Sequence, residues 1–179
     1  MNPAVLLCLA NATRRRRHDD HESESLSDDA KARRALSGAG IVLPPLSAQQ
    51  RSEVEQLVGA ASRIGDALHQ GEAPGPETVE TLNRLAAGST GRMRLRVRGG
   101  ALVAETEWND ATPAALPARL VISEIGRIDP RRLRQCARRE CSLLFYDQSR
   151  PGTQRWHAES PCGWLERQRR HRRPSSPAE

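Results

Sequence analysis

Cys136, Cys141, His157 and Cys162 form the pattern C-x4-C-x15-H-x4-C, and no other feature of the chain restricts its fold as strongly. Two close pairs joined by a loop of this length match what a tetrahedral zinc ion needs: each pair wraps one edge of the ion while the intervening chain folds back. Thiolate and imidazole donors favour zinc among the common divalent ions. Four filled positions leave no room for water or substrate, so the expected metal is structural, not catalytic. On spacing alone, the alternative is three buried or free thiols beside an unrelated histidine. Cys8 stands far from the other three. A pair of disulfides is therefore the poorer reading, and a reducing, cytoplasmic setting the better one.

Charge is concentrated around this pattern. The 179 residues carry a formal charge of +6, from 28 basic residues, of which only Lys31 is not Arg, against 22 acidic ones. Residues 130–173 hold 12 Arg and 4 acids, whereas the remainder is slightly acidic. A near-neutral body thus carries a strongly basic end, as a protein that meets polyanions does. Arg is suited to bidentate contact with phosphate and guanine edges. The other explanation is a coding bias that inflates Arg throughout, but such a bias does not segregate charge. No apolar stretch approaches the roughly 18 to 20 residues that span a bilayer, so no membrane partner is expected. The apolar run at residues 3–12 precedes the cluster at Arg14–Arg17, the reverse of secretory-signal order.

Periodicity outlines the body. Residues 13–30 are polar and read as mobile, with Ser27 as a cap for a helix that runs through Leu36 and stops at Gly38 or Gly40. Ser47 caps a second helix, with Val54, Leu57, Val58, Ala61, Ile64 and Leu68 at helical spacing and Gly71 as its stop. Pro76 opens a third, with a stripe of Val79, Leu82 and Leu85, ending at Gly88. From Arg92 to Val97 the period changes to two, Gly99-Gly100 signals a tight hairpin, and the return strand puts Leu102, Ala104, Thr106 and Trp108 on one face. A buried apolar face is expected there. The alternating Arg row reads as a solvated face with Glu105 and Glu107 as cross-strand partners, more readily than as a nucleic-acid stripe. Residues 112–128 form another helix, with Pro117 moving its start, and Pro130 begins a short helix that reaches Cys136. The fold class is α+β: a mainly helical N-terminal domain with a β-hairpin, followed by a small C-terminal zinc-binding module with a basic helix.

The residues between the two ligand pairs are specific. Residues 142–147 form a short apolar strand, 148–153 a turn, and Gln154-Arg155-Trp156 runs into His157. With Cys136, Cys141, Phe145, Asp147, Ser149, Arg150, Arg155, Trp156, Cys162 and Gly163, the segment resembles the CGNR-type zinc finger of bacterial regulator-like proteins. In that family a Cys pair precedes a strand ending in Phe-x-Asp and a Ser-Arg turn, and a terminal Cys-Gly-Asn-Arg leads into a basic helix. The rest of the chain is similar to the ABATE-like α+β domain that precedes such fingers. The resemblance spans nearly the whole length, with its specificity in the finger. Two positions depart from the pattern. His157 stands where the family usually has Cys, which keeps zinc chemistry and lowers the site's negative charge. Trp164-Leu165 replaces Asn-Arg, which removes any base or phosphate contact carried by those two family positions.

The resulting division is 1–128 for an ABATE-like domain and possible sensor, 129–173 for the finger, and 174–179 for a disordered tail. The resemblance implies a DNA-binding transcriptional regulator with zinc as cofactor, duplex DNA as partner, and an unknown small ligand or protein at the N-terminal domain. Arg131, Arg132, Arg134, Arg150, Arg155, Arg167, Arg169, Arg170, Arg172 and Arg173 are the candidate nucleic-acid contacts. The alternative for the last five is a solvated, partly frayed C-terminal run. Asp147 and Trp156 read as structural, a turn-forming carboxylate and a packing ring. The runner-up function is a zinc-stabilised RNA- or protein-binding adaptor. No Ser-His-Asp arrangement, phosphate-cradling glycine loop or H-E-x-x-H helix is recognisable, so no enzyme is expected. Loss of a zinc ligand is expected to unfold residues 130–173 and spare the helical body.

Overall fold

The longest helix forms where apolar residues recur three and four apart, and its ends are fixed by side chains that satisfy orphan backbone groups. A computed structural model describes residues 3–14, 28–42, 45–109 and 112–172. Helix α1 (Ala4–Ala10) is followed by α2 (Asp28–Gly38), α3 (Ala48–Gln70) and α4 (Pro76–Ala87). A hairpin of β1 (Thr90–Arg98) and β2 (Ala101–Asn109) leads to α5 (Ala115–Ile125). In α3 the Ser47 side chain accepts from the Gln50 backbone N–H while the Gln50 side chain accepts from that of Ser47, a reciprocal box that closes the N-terminus. Gly71, at φ 76°, ends the helix in the left-handed region. The expected cap Ser27, Pro44 and most of the polar stretch after Arg14 lie outside the described residues.

Helix α1 sits at the centre of the body. Leu6, Leu9 and Ala10 are fully buried, and the core also takes Leu36 from α2, Val54, Leu57, Ala61 and Ile64 from α3, Leu82 and Leu85 from α4, and Val121 from α5. The first turn of α1 has no cap of its own. Glu124 of α5 supplies one: its carboxylate accepts from Val5 N at 3.1 Å and Leu6 N at 2.8 Å, placing negative charge at the positive end of the helix dipole. Pro117 lies within the first turn of α5, where a missing N–H costs no helical bond. Val79 departs from the expected α4 stripe. Its neighbour Thr78 is buried instead and accepts from Arg63 Nε at 3.0 Å.

The hairpin pairs in the expected register, with Arg98 opposite Ala101 and both turn glycines at positive φ. Its Arg row is tied down across the strands: Arg94 to Glu107, Arg96 to Glu105 and Glu107, Arg98 to Glu105. At its described positions the face expected to be buried is solvated. Leu95, Val97 and Leu102 are 68%, 69% and 70% exposed, because the ribbon projects from the α4–α5 junction and packs mainly on itself.

The finger begins with a single 3-10 turn over Pro130–Arg132, which passes directly into β3 (Leu133–Gln135), paired antiparallel with β4 (Leu144–Tyr146). This corrects the expected helix up to Cys136. Leu133 alternates with exposed Gln135 and pairs with Tyr146, and the buried strand contact wins over the helix-forming Arg residues. A π-helical turn over Glu159–Gly163, with non-helical backbone at Ser160, then runs without a break into α6 (Trp164–His171), so the helical course from Pro161 is as expected. No helix among the described residues is long and apolar enough to cross a membrane.

Candidate metal centre and basic surface

Two β-strand ends and one turn bring the four ligand candidates together. Cys136 follows β3 and its N–H donates to Leu143 O at 2.9 Å. Cys141 closes a tight turn by donating to Arg138 O at 2.9 Å. Ala137 N donates to Arg155 O at 2.8 Å, which draws the segment before His157 alongside the first pair. Cys162 lies in the turn that opens α6.

The donor atoms of Cys136, Cys141, His157 and Cys162 all lie within 4.8 Å of one another. His157 Nδ1 is 3.4 Å from Cys141 Sγ and 3.7 Å from Cys162 Sγ. Ligands on a tetrahedral zinc, with Zn–S of about 2.3 Å and Zn–N of about 2.0 Å, stand about 3.5 to 3.8 Å apart. The measured separations fit. Burial and the neighbouring sulfurs of Cys136 and Cys141 push the Cys162 thiol up to about 12, and burial likewise raises Cys141. Thiols raised in this way become thiolates at neutral pH only when a cation shares the site. Three thiolates and one neutral imidazole around a divalent ion leave one net negative charge. The guanidinium of Arg138, paired to Glu140 at 3.1 Å, faces Cys162 and offsets it. Sequence reasoning missed Arg138. The available signal was its position two residues after Cys136, inside the ligand turn.

Cys136, Cys141, Leu143 and Cys162 form one buried cluster, with Trp156 packed against it, and Leu133, Leu144 and Phe145 are also buried in the finger. The expected role of Asp147 is met and extended. Its side chain is fully buried and accepts from Ser149 N at 2.9 Å, Ser149 Oγ at 2.6 Å and Gln154 N at 2.9 Å. It thereby holds the whole turn between the ligand pairs.

Arg132 and Arg134 point into that turn. Arg132 donates to Asp147 O at 3.1 Å and Ser149 O at 2.8 Å, and Arg134 donates to Gly152 O at 2.6 Å and lies 3.4 Å from the Asp147 carboxylate. The two guanidiniums are thus engaged by the finger's own framework. Arg155 stacks over Trp156, 5.5 Å from the ring centroid. On α6, Arg167 pairs with Glu159 and Arg169 with Glu166. Arg131, Arg150, Arg170 and Arg172 are exposed. Arg173 lies outside the described residues.

The finger is seated on the body, a junction that the sequence did not reveal. Asn11, just past α1, accepts from Leu144 N at 2.8 Å and donates to Leu144 O at 2.9 Å, as a neighbouring strand would. Arg14 donates to Ser142 O at 3.2 Å and pairs with Asp66 at 2.5 Å. The Leu144 side chain is buried beside Gly65 of α3.

Fold and site together define an α+β protein that ends in a Cys3His zinc-finger module. Residues 132–174 match the family model of the CGNR zinc finger, and residues 4–144 match one described as "Putative stress-induced transcription regulator". The second match covers most of the chain, which therefore belongs to this transcription-regulator family. No curated protein matches the chain.

Proposed function

We propose that this chain is a zinc-dependent, DNA-binding transcriptional regulator in which a structural zinc fixes a short basic helix against duplex DNA. The observation that carries it is the placement of Cys162 in the turn that starts α6: the metal site and the helix share one backbone segment. Cys136, Cys141, His157 and Cys162 would hold the ion, which supplies no reaction, only rigidity to a module with little core. Arg170 and Arg172, together with Arg131 and Arg150, have no carboxylate partner among the described residues and are the foremost phosphate contacts. Arg155, Arg167 and Arg169 are secondary, since each already has a neighbour to satisfy. Residues 1–128 form the possible sensor and 129–173 the finger, in a cytoplasmic protein. An open groove of about 400 Å³ between α4 and α5, lined by Asn83, Ala86, Ala87, Arg119, Ile122 and Ser123, is the place for a small ligand. A closed coordination shell gives substrate no position, so no catalysis is assigned.

A second reading, an RNA- or protein-binding adaptor, draws support from Trp164. This ring is half exposed at the start of α6, where a base could stack on it. Capture of sheared genomic duplex by the zinc-loaded and zinc-stripped protein at near-physiological salt separates the two. The expected result is enrichment of discrete fragments with zinc only, with Arg170→Ala reducing the salt slope of binding by about 1. Uniform weak binding that vanishes with salt overturns the regulator reading.

A further inference from the structure

We propose that the exposed apolar face of the β1–β2 hairpin is the interface through which two copies of this chain pair. The nine-rung register places residues on two unlike faces. One holds Arg94, Arg96 and Arg98 against Glu105 and Glu107, and its charges are consumed by ion pairs within the hairpin. The other holds Leu95 opposite Ala104 and Val97 opposite Leu102, and the register adds Met93 with Thr106 and Gly91 with Trp108. No charged residue occurs on this second face. Its three described large side chains are 68% to 70% exposed.

A two-stranded ribbon with one wet apolar face is marginal in water and gains its stability from a covering layer. Among the described residues the body does not supply that layer, because the hairpin packs mainly on itself. The chemistry of the face selects the occupant. With no cation on it, the face offers nothing to a phosphate backbone, and with no charge on it, it calls for a neutral apolar partner. An identical face meets that need. In a two-fold arrangement each Leu95–Val97–Leu102 cluster packs against its copy, and the Arg/Glu faces turn outward. Packed sheets lie about 10 Å apart, so the charged faces end up separated by more than a Debye length of about 8 Å. The ribbon is about 30 Å long and about 10 Å wide. Two such faces with interdigitating side chains remove on the order of 1,000 Å² from water, the low end of what a specific interface needs. The pairing is therefore reversible.

Sedimentation equilibrium on the full zinc-loaded chain, from about 1 to 200 μM, tests this over a range that brackets a micromolar dissociation constant. The wild type is expected to populate a dimer that persists or strengthens when salt is raised. Leu102→Glu should weaken it at least about 100-fold, as expected for a charge placed in a desolvated apolar contact. Arg98→Ser, on the opposite face, should change it by less than about threefold. Both positions are exposed, and unchanged circular dichroism and zinc content certify folding. A wild type that stays monomeric throughout, a dimer that survives Leu102→Glu, or one that salt dissociates overturns the proposal.

Discussion

Asp147 carries its charge without contact with water, and that decides how the finger responds to acid. Burial opposes ionisation, but the Ser149 hydroxyl, the N–H groups of Ser149 and Gln154, and the Arg134 guanidinium outweigh it and hold the carboxyl below the usual carboxylate range. A depressed native pKa stabilises the fold at every pH above the unfolded value of about 3.9, and the stabilisation drains away as pH falls through the native value. Asp147→Asn is therefore expected to lower the denaturant midpoint of the finger at neutral pH. The gap from wild type should narrow as pH falls below the ordinary carboxylate range. Protonation of the metal ligands affects both proteins alike, so the difference isolates Asp147. Denaturant titrations between about pH 7 and pH 3 make the comparison, and a gap that widens on acidification contradicts it.

At the scale of the helix, two glycines of α3 have opposite expectations. A Cβ at Gly65 would stand 2.7 Å from Leu144 Cδ1 and 3.3 Å from Ala10 Cβ, both in packed surroundings. At Gly59 it would meet only the end of Arg63, at 3.4 Å. Gly to Ala inside a helix gains up to about 1 kcal/mol in propensity, whereas overpacking costs about 1 to 3 kcal/mol. Gly65→Ala is thus expected to destabilise by about 1 to 2 kcal/mol, and Gly59→Ala to stabilise by up to about 1 kcal/mol. Chemical denaturation reads both, and the same sign for the two variants would refute the packing argument. Gly65 also marks what the sequence did and did not disclose. The caps Ser47 and Gly71, the hairpin turn at Gly99-Gly100 and the four ligand positions are local signals, carried by residues a few positions apart. The seating of Leu144 against Gly65, the Glu124 cap on α1 and the solvation of Leu95 depend on residues far apart in sequence, and periodicity carries no record of them. The surroundings of Arg132 and Arg134 are hidden for the same reason: composition marks them as basic, but only the path of the 148–154 turn shows where their guanidiniums end.

For the whole molecule, the junction between finger and body alters the expected effect of losing the metal. Cys136, Cys141 and Cys162 form the buried cluster on which Leu143 and Trp156 pack, so without zinc the segment leading into β4 loses part of its support. Leu144 then leaves Gly65, and Asn11 loses both of its partners. The early expectation that the body is spared gives way to a coupled one. Losing this contact costs the body about 2 to 3 kcal/mol, which for a chain of this size is about 5 to 10 °C in thermal midpoint. Heating with and without chelator, followed at the helical signal, should show that shift, and Asn11→Ala should lower the holo midpoint and shrink the effect of the chelator. An unchanged helical transition on metal removal would show the two parts to be independent.

The Asn11 clamp also sets an order of events during synthesis. Helix α1 leaves the ribosome early, but the peptide group that its Asn11 grips lies 133 residues downstream. The seat on α1 and α3 can therefore be filled only after Leu144 has been made, so closing that seat and ordering the ligand cluster around a metal become one step.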